Sequence, residues 1–208
     1  MRRTLLLMIS LLITGIVASA TVIPVGTASP GITPAVTPLD PMTVGTLVVT
    51  TGPVSFSFGG TAIHPKNTGW VVETVRRAPT GNLLFIFQVH VSGGPSGDVE
   101  RLSTGDWGLS VGINAFQYQD GGDVTAVGVD RNTGGTLGIN FNPLVEKGDT
   151  SWEVVLYTST PNYIPGSIGV IDTGSNPSIP GWVATPEPAT LSFLAFGLGA
   201  LMLRRRRQ

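Results

Sequence analysis

Leu83-Leu84-Phe85-Ile86-Phe87-Gln88-Val89-His90 is the stretch on which the reading of this chain turns. Its first five residues are apolar without a break. From Gln88 onward, polar and apolar residues alternate. Side chains of a strand point to opposite faces in turn, so an unbroken apolar run needs cover on both faces. The stretch therefore predicts a central strand, buried on both sides at one end.

Moving outward, the dominant period is two. Val54, Phe56 and Phe58 alternate with Ser55 and Ser57. Trp107, Leu109, Val111, Ile113 and Ala115 alternate with Gly108, Ser110, Gly112 and Asn114. Leu137, Ile139 and Phe141 alternate with Gly138 and Asn140, and Trp152, Val154 and Leu156 with Ser151 and Glu153. Ile168 and Val170 flank Gly169. Pairs such as Gly59-Gly60, Gly93-Gly94, Gly121-Gly122 and Gly134-Gly135 lie between these runs and make sharp reversals cheap. No amphipathic helical run appears between 44 and 185. The chain reads as all-β, an antiparallel β-sandwich of jelly-roll type over 44–184. Phe56, Phe58, Phe87, Val89, Leu109, Val111, Ile139, Phe141, Val154 and Leu156 are its expected core.

The segment 21–43 carries Pro24, Pro30, Pro34, Pro38 and Pro41 among Thr, Ser, Gly and Val. Proline at that spacing sustains neither a helix nor a central strand. It predicts an extended, largely disordered linker, with an edge strand around Val22 to Val25 as its one ordered element.

Both ends carry signals. Met1-Arg2-Arg3 precedes an apolar run from Leu5 to Val17, and Ala18-Ser19-Ala20 closes it. A basic start, an apolar run of this length and an A-x-A site make a secretory signal peptide over 1–20, cut after Ala20, with Ala18 and Ala20 as the signal peptidase site. Arg2-Arg3 loosely fits a twin-arginine pattern, but the very apolar run favours the Sec translocon. At the other end, Pro186-Glu187-Pro188 precedes the uncharged run 189–203 (ATLSFLAFGLGALML) and then Arg204, Arg205, Arg206 and Arg207. As a helix that run is about 22 Å long, short of a hydrocarbon core of roughly 30 Å. The arginines resist translocation and mark a cytoplasmic end. The segment 185–208 thus reads as an exposed extended site, a transmembrane helix and a cationic stop.

Pro186-Glu187-Pro188, the apolar run and the arginine block resemble the PEP-CTERM sorting domain of Gram-negative bacteria, over the tail alone. The resemblance implies recognition and removal by an exosortase, a membrane-embedded cysteine transpeptidase-like enzyme. It further implies an inner-membrane-anchored precursor, a final place in the periplasm, outer surface or extracellular matrix, and a link to exopolysaccharide and biofilm.

The chain has 12 Lys and Arg against 13 Asp and Glu. Six of the basic residues belong to the two signals. The six left between them face 12 of the 13 acids, Glu187 lying in the tail signal, a formal −6. That part has no basic patch for nucleic acid. With no cysteine there is no disulfide, thiolate metal site or cysteine nucleophile.

Gly108-Leu109-Ser110-Val111-Gly112 spells G-x-S-x-G, but the hydrolase elbow needs a strand, a turn and a helix, with a histidine after the serine. Here alternation continues, and His64 and His90 both precede Ser110. These histidines are read as surface imidazoles. Asp98, Glu100, Asp106, Asp120, Asp123 and Asp130 lie among Gly-rich loops and offer oxygens of the kind calcium takes. Their spacing matches neither an EF-hand loop nor an RTX nonapeptide, so no cofactor is assigned. Trp107 and Trp152 fit core faces, while Trp70 and Trp182 are the candidates for stacking on sugar rings.

Three functions follow. The first is an exported, non-catalytic surface or matrix protein handled by exosortase. The second is a carbohydrate-binding sandwich, which a row of exposed aromatics on one face would favour. The third is a secreted hydrolase, which needs a cleft with two carboxylates at glycosidase separation.

Overall fold

A computed structural model describes residues 21–58, 67–93, 98–172 and 176–186 of the chain. The early strands are β1 (Thr21–Val22), β2 (Thr27–Ile32), β3 (Ala35–Val36), β4 (Thr46–Thr50) and β5 (Val54–Phe58). The middle ones are β6 (Asn67–Arg77), β7 (Leu83–Gly93), β8 (Val99–Asp106) and β9 (Ile113–Tyr118). The last are β10 (Ala126–Arg131), β11 (Thr136–Val145), β12 (Glu153–Thr158), β13 (Asn162–Ile171) and β14 (Ser178–Thr185). Among the described residues the one helical element is a 3-10 turn, Pro41–Thr43, and no helix is long and apolar enough to cross a membrane.

The protein is all-β, with two sheets that are antiparallel apart from the short β3–β9 pairing. One sheet, of eight strands, runs β1-β9-β12-β7-β6-β4, with β3 on β9 and β5 on β6. The other, of six, runs β14-β13-β8-β11-β10-β2. Both contribute to one apolar core, which includes Phe85, Phe87 and Leu156 from the first sheet and Leu102, Ile139 and Val170 from the second. Nine of the ten expected core residues are buried there.

Strand β7 lies inside its sheet, as its double apolar face requires. Leu83, Phe85 and Phe87 face the shared core. Leu84 and Ile86 face the other way, into a second cluster with Ala78, Phe116 and Val155, against which Met42, Val44 and Tyr157 pack. Met42 comes from the segment expected to be a disordered linker, Val44 from just beyond it, and that expectation is corrected here. Residues 21–43 belong to the fold. Thr21 and Val22 pair with Ala115 and Asn114, Ile32 and Thr27 with Val129 and Arg131, and Ala35 and Val36 with Phe116 and Gln117. The prolines are tolerated because these are short pieces at sheet edges. Asp40 caps the 3-10 turn, its Oδ1 accepting the Met42 N–H at 2.7 Å.

A second correction concerns 107–112. Alternation suggested one strand through Ala115, yet β8 stops at Asp106 and β9 starts at Ile113. Gly108 has φ of +66°, outside the extended range of a regular strand. Asp106 Oδ1 accepts the Gly108 N–H at 2.7 Å and fixes the turn. Trp107 is buried, its ring 4.6 Å from that of Phe85 and its Nε1–H given to Thr104 Oγ1. Leu109, expected in the core, is 56% exposed on the resulting loop.

The molecule has two distinguishable ends. At one, β8 meets β11 at Asp106 and Thr136, β9 meets β12 at Ile113 and Thr158, and β13 meets β14 at Asn162 and Thr185. The chain leaves the last strand at this end. At the other, β8 meets β11 at Val99 and Val145, and β9 meets β12 at Tyr118 and Glu153.

Candidate functional site

Polar chemistry concentrates on the outward face of the eight-stranded sheet, at the end away from Thr185. Alternation sends Val71, Val89 and Val154 into the core, and so turns Trp70, His90, Gln88, Glu153 and Tyr118 outward. Trp70 and His90 are cross-strand partners, with rings stacked at 5.1 Å. His90 Nδ1 lies 3.0 Å from Thr150 Oγ1. Gln88 Nε2 donates to Asp120 Oδ2 and, at 3.2 Å, to the Ser151 carbonyl. Glu153, opposite Tyr118, is buried, and its Oε2 has no hydrogen-bond partner. Its pKa is raised to about 7, first by burial and then by the charges of Asp120 and Asp40. Segment 21–43 thus supplies an acid to this face as well as an apolar cover. Three carboxylates, an amide and a stacked aromatic pair can accept and donate hydrogen bonds at the edge of an apolar floor.

The two candidate aromatics are not neighbours on one platform. Trp70 stands on β6 of the eight-stranded sheet, Trp182 on β14 of the six-stranded sheet. Trp182 is half-buried, packed on the core and edge-on to Tyr163 at 5.4 Å. Its Nε1–H is buried without a partner. Trp152, expected in the core, is half-buried and gives its Nε1–H to the Gly122 carbonyl at 3.0 Å, pinning the turn after β9.

The acids scatter differently from expectation. Asp120 and Asp123 are in a loop, but Glu100 and Asp106 belong to β8 and Asp130 to β10. Asp130 is buried and held by Arg101 at 2.6 and 2.8 Å. Asn140 completes that group, donating to Asp130 Oδ2 at 2.7 Å and to the Pro30 carbonyl at 2.9 Å. Among the described residues no three His, Asp or Glu side chains gather as a metal site requires. Ser110 is exposed on the 107–112 loop, at the opposite end from His90.

Sequence reasoning missed two buried charges. Glu73 sits on the core face of β6 between Val71 and Val75, wholly buried. Its pKa is pushed up to about 8 by burial, against the pull of the Trp182 N–H that it accepts. Arg131, 2% exposed, donates from Nη1 to the Val111 carbonyl at 2.7 Å and from Nη2 to that of Gly108. Burial lowers its pKa, with Asp106 acting in the other direction. An acid within Val-Val-Glu-Thr-Val and a base closing Val-Gly-Val-Asp-Arg interrupt apolar runs, which was the available signal.

Of the residues expected to form a sorting signal, Pro186 is described and half-buried. It lies against Gly108, where an added Cβ would come within 3.0 Å of its ring. Thr160 Oγ1 donates to the Thr185 carbonyl at 2.8 Å just before it. Glu187, Pro188, the four terminal arginines, Ala18, Ala20 and His64 lie outside the described residues. Comparison with known proteins finds no matching family model, no matching curated protein and no matching solved structure.

Proposed function

We propose that this chain is an exported, non-catalytic surface or matrix protein whose tail is a sorting signal, removed by an exosortase-type membrane enzyme. The observation that carries the reading is the junction between fold and tail. β14 stays paired to Thr185, opposite Asn162, and the next residue begins Pro186-Glu187-Pro188. Prolines give no backbone donor with which to continue the strand. The signal thus starts where strand pairing stops, at a Pro186 that rests against Gly108. Signal peptidase and the Sec translocon handle the front end. The precursor is held in the inner membrane by a helix over 189–203, with Arg204 to Arg207 on the cytoplasmic side, before release to an exopolysaccharide-rich exterior.

We read the fold as jelly-roll-like. From β7 to β9 the chain alternates between sheets, and later strands return beside earlier ones: β11 and β13 flank β8, and β12 lies between β7 and β9. Nested antiparallel returns of this kind support that topology.

Intact mass spectrometry of the mature protein, in a host with its exosortase, tests the proposal. The wild type is expected to lack 189–208. Pro186→Ala with Glu187→Ala should leave export intact and block removal of the tail. Neutral residues in place of the four arginines should let unprocessed chain slip through the membrane. A wild-type protein that keeps 189–208 at steady state would make this a plain tail anchor.

A further inference from the structure

The end of the molecule that carries the tail differs in surface chemistry from the other end. Ala189, the first residue of the apolar run, comes three positions after Pro186. At full extension that is at most about 10 Å of chain. Whatever surface receives the run must therefore lie close to the loops around Pro186.

Two large apolar side chains stand exposed in those loops, among polar neighbours such as Asp106 and Ser110. Leu109 is 56% exposed, next to Gly108, on which Pro186 sits. Val25 is 41% exposed and belongs to the crossing from β1 to β2. The two are tied to one residue: Gly26 donates its N–H to the Arg131 carbonyl at 2.8 Å, while the Arg131 guanidinium holds the carbonyls of Gly108 and Val111. Charge is sorted in the same sense. Arg76, Arg77 and Arg131 stand at this end with Asp106, while Asp98, Glu100, Asp120, Asp123, Glu146 and Asp149 stand at the other with Lys147. An anionic lipid surface repels the acidic end and tolerates this one.

We infer that, in the precursor, the 107–112 loop rests on the lipid surface, with Leu109 and Val25 in contact with the headgroup region. The inference rests on the reading of 189–203 as a membrane segment and adds an orientation to it. The acidic end, with the Trp70–His90 face beside it, then points away from the membrane. Gly108 and Asp106 set the loop's turn, and Arg131 keeps Leu109 outward.

The chain has no cysteine, so single labels need no background removal. Leu109→Cys, Lys147→Cys and Phe196→Cys, each in the full chain, would carry an environment-sensitive fluorophore. The chains would be reconstituted in vesicles of phosphatidylethanolamine and phosphatidylglycerol containing a headgroup-level nitroxide lipid. Leu109 and Lys147 are both exposed, so neither change disturbs the core. The labels at 109 and 196 should shift to the blue and lose intensity to the nitroxide, while that at 147 should do neither. Quenching at 196 without any at 109 would leave the membrane segment standing and overturn the orientation. No quenching at 196 would remove the membrane segment and the inference with it. A response at 109 that appears only when the processing enzyme is added would reassign the loop to a protein partner and overturn the lipid contact.

Discussion

Glu73 Oε2 accepts the backbone N–H of Trp182 at 2.7 Å, joining the core face of one sheet to the edge strand of the other. Gly181 makes the approach feasible, since a Cβ there would stand 2.7 Å from the same oxygen and from Ile168. The second oxygen, Oε1, is buried without a partner. A carboxyl in that setting is costly to ionise.

Stability should therefore fall as pH rises. The folded-state pKa values of Glu73, about 8, and Glu153, about 7, both stand above the ordinary carboxyl value of 4.5. The folded state holds more protons than the unfolded one between those limits, so the stabilisation is complete below about pH 4.5 and lost through pH 7 to 8. Urea midpoints measured from pH 5 to 9 should decline. Glu73→Gln, which keeps an acceptor for Trp182, should remove most of the slope. A flat profile in the wild type would show that both carboxyls ionise freely.

The Arg101–Asp130–Asn140 group should behave as a unit. Asp130→Ala leaves a partly buried guanidinium unpaired and should cost about 2–3 kcal/mol, below the fully buried case because Arg101 keeps some solvent contact. Gly138→Ala should reproduce much of that loss, since an added Cβ would meet the Arg101 guanidinium at 2.0 Å. A double-mutant cycle in denaturant checks both: the combined variant should be far less destabilised than the sum.

Ile86→Ala should cost about 2–5 kcal/mol although Ile86 faces away from the main core. The measurement is the urea midpoint at constant m. A cost under 1 kcal/mol would mean that Met42 and Val44 do not cover that face in solution.

Arg131→Met should loosen the 107–112 loop. The carbonyls of Gly108 and Val111 lose their donor, at about 1–3 kcal/mol for each one left buried. Limited proteolysis near Leu109 should accelerate before global unfolding does. Lysine at 131 should rescue only in part, because a single ammonium lacks the fork that reaches both carbonyls.

The core was legible because alternation is a local property, and the register of Phe56, Phe58, Ile139, Phe141, Val154 and Leu156 follows from it. The strand through Leu109 was misread because glycine at 108 satisfies the polar positions of an alternating pattern equally well as a turn residue. The role of 21–43 was missed because its prolines argue against regular structure locally, whereas its pairings are with residues far along the chain. A cover for Leu84 and Ile86 was demanded by their own stretch, yet nothing local named Met42 and Val44. The outward face around Trp70 and Glu153 was illegible for the same reason: Gln88, Asp120, Asp40 and Glu153 meet only through the sheet.

The pairing of 21–43 with distant strands has a kinetic cost. Thr21 waits for Ala115 and Thr27 for Arg131, while Ser29 Oγ reaches Asn140 Oδ1 across 111 positions. In a chain emerging front end first, the earliest segment stays without its partners until about half of the remainder has followed. Closing loops of that length is paid before any pairing rewards it, which slows folding. On the export route proposed above, the protein would make its passage largely unassembled, and holdase chaperones on the far side would find their longest-lived target in the residues that arrive first.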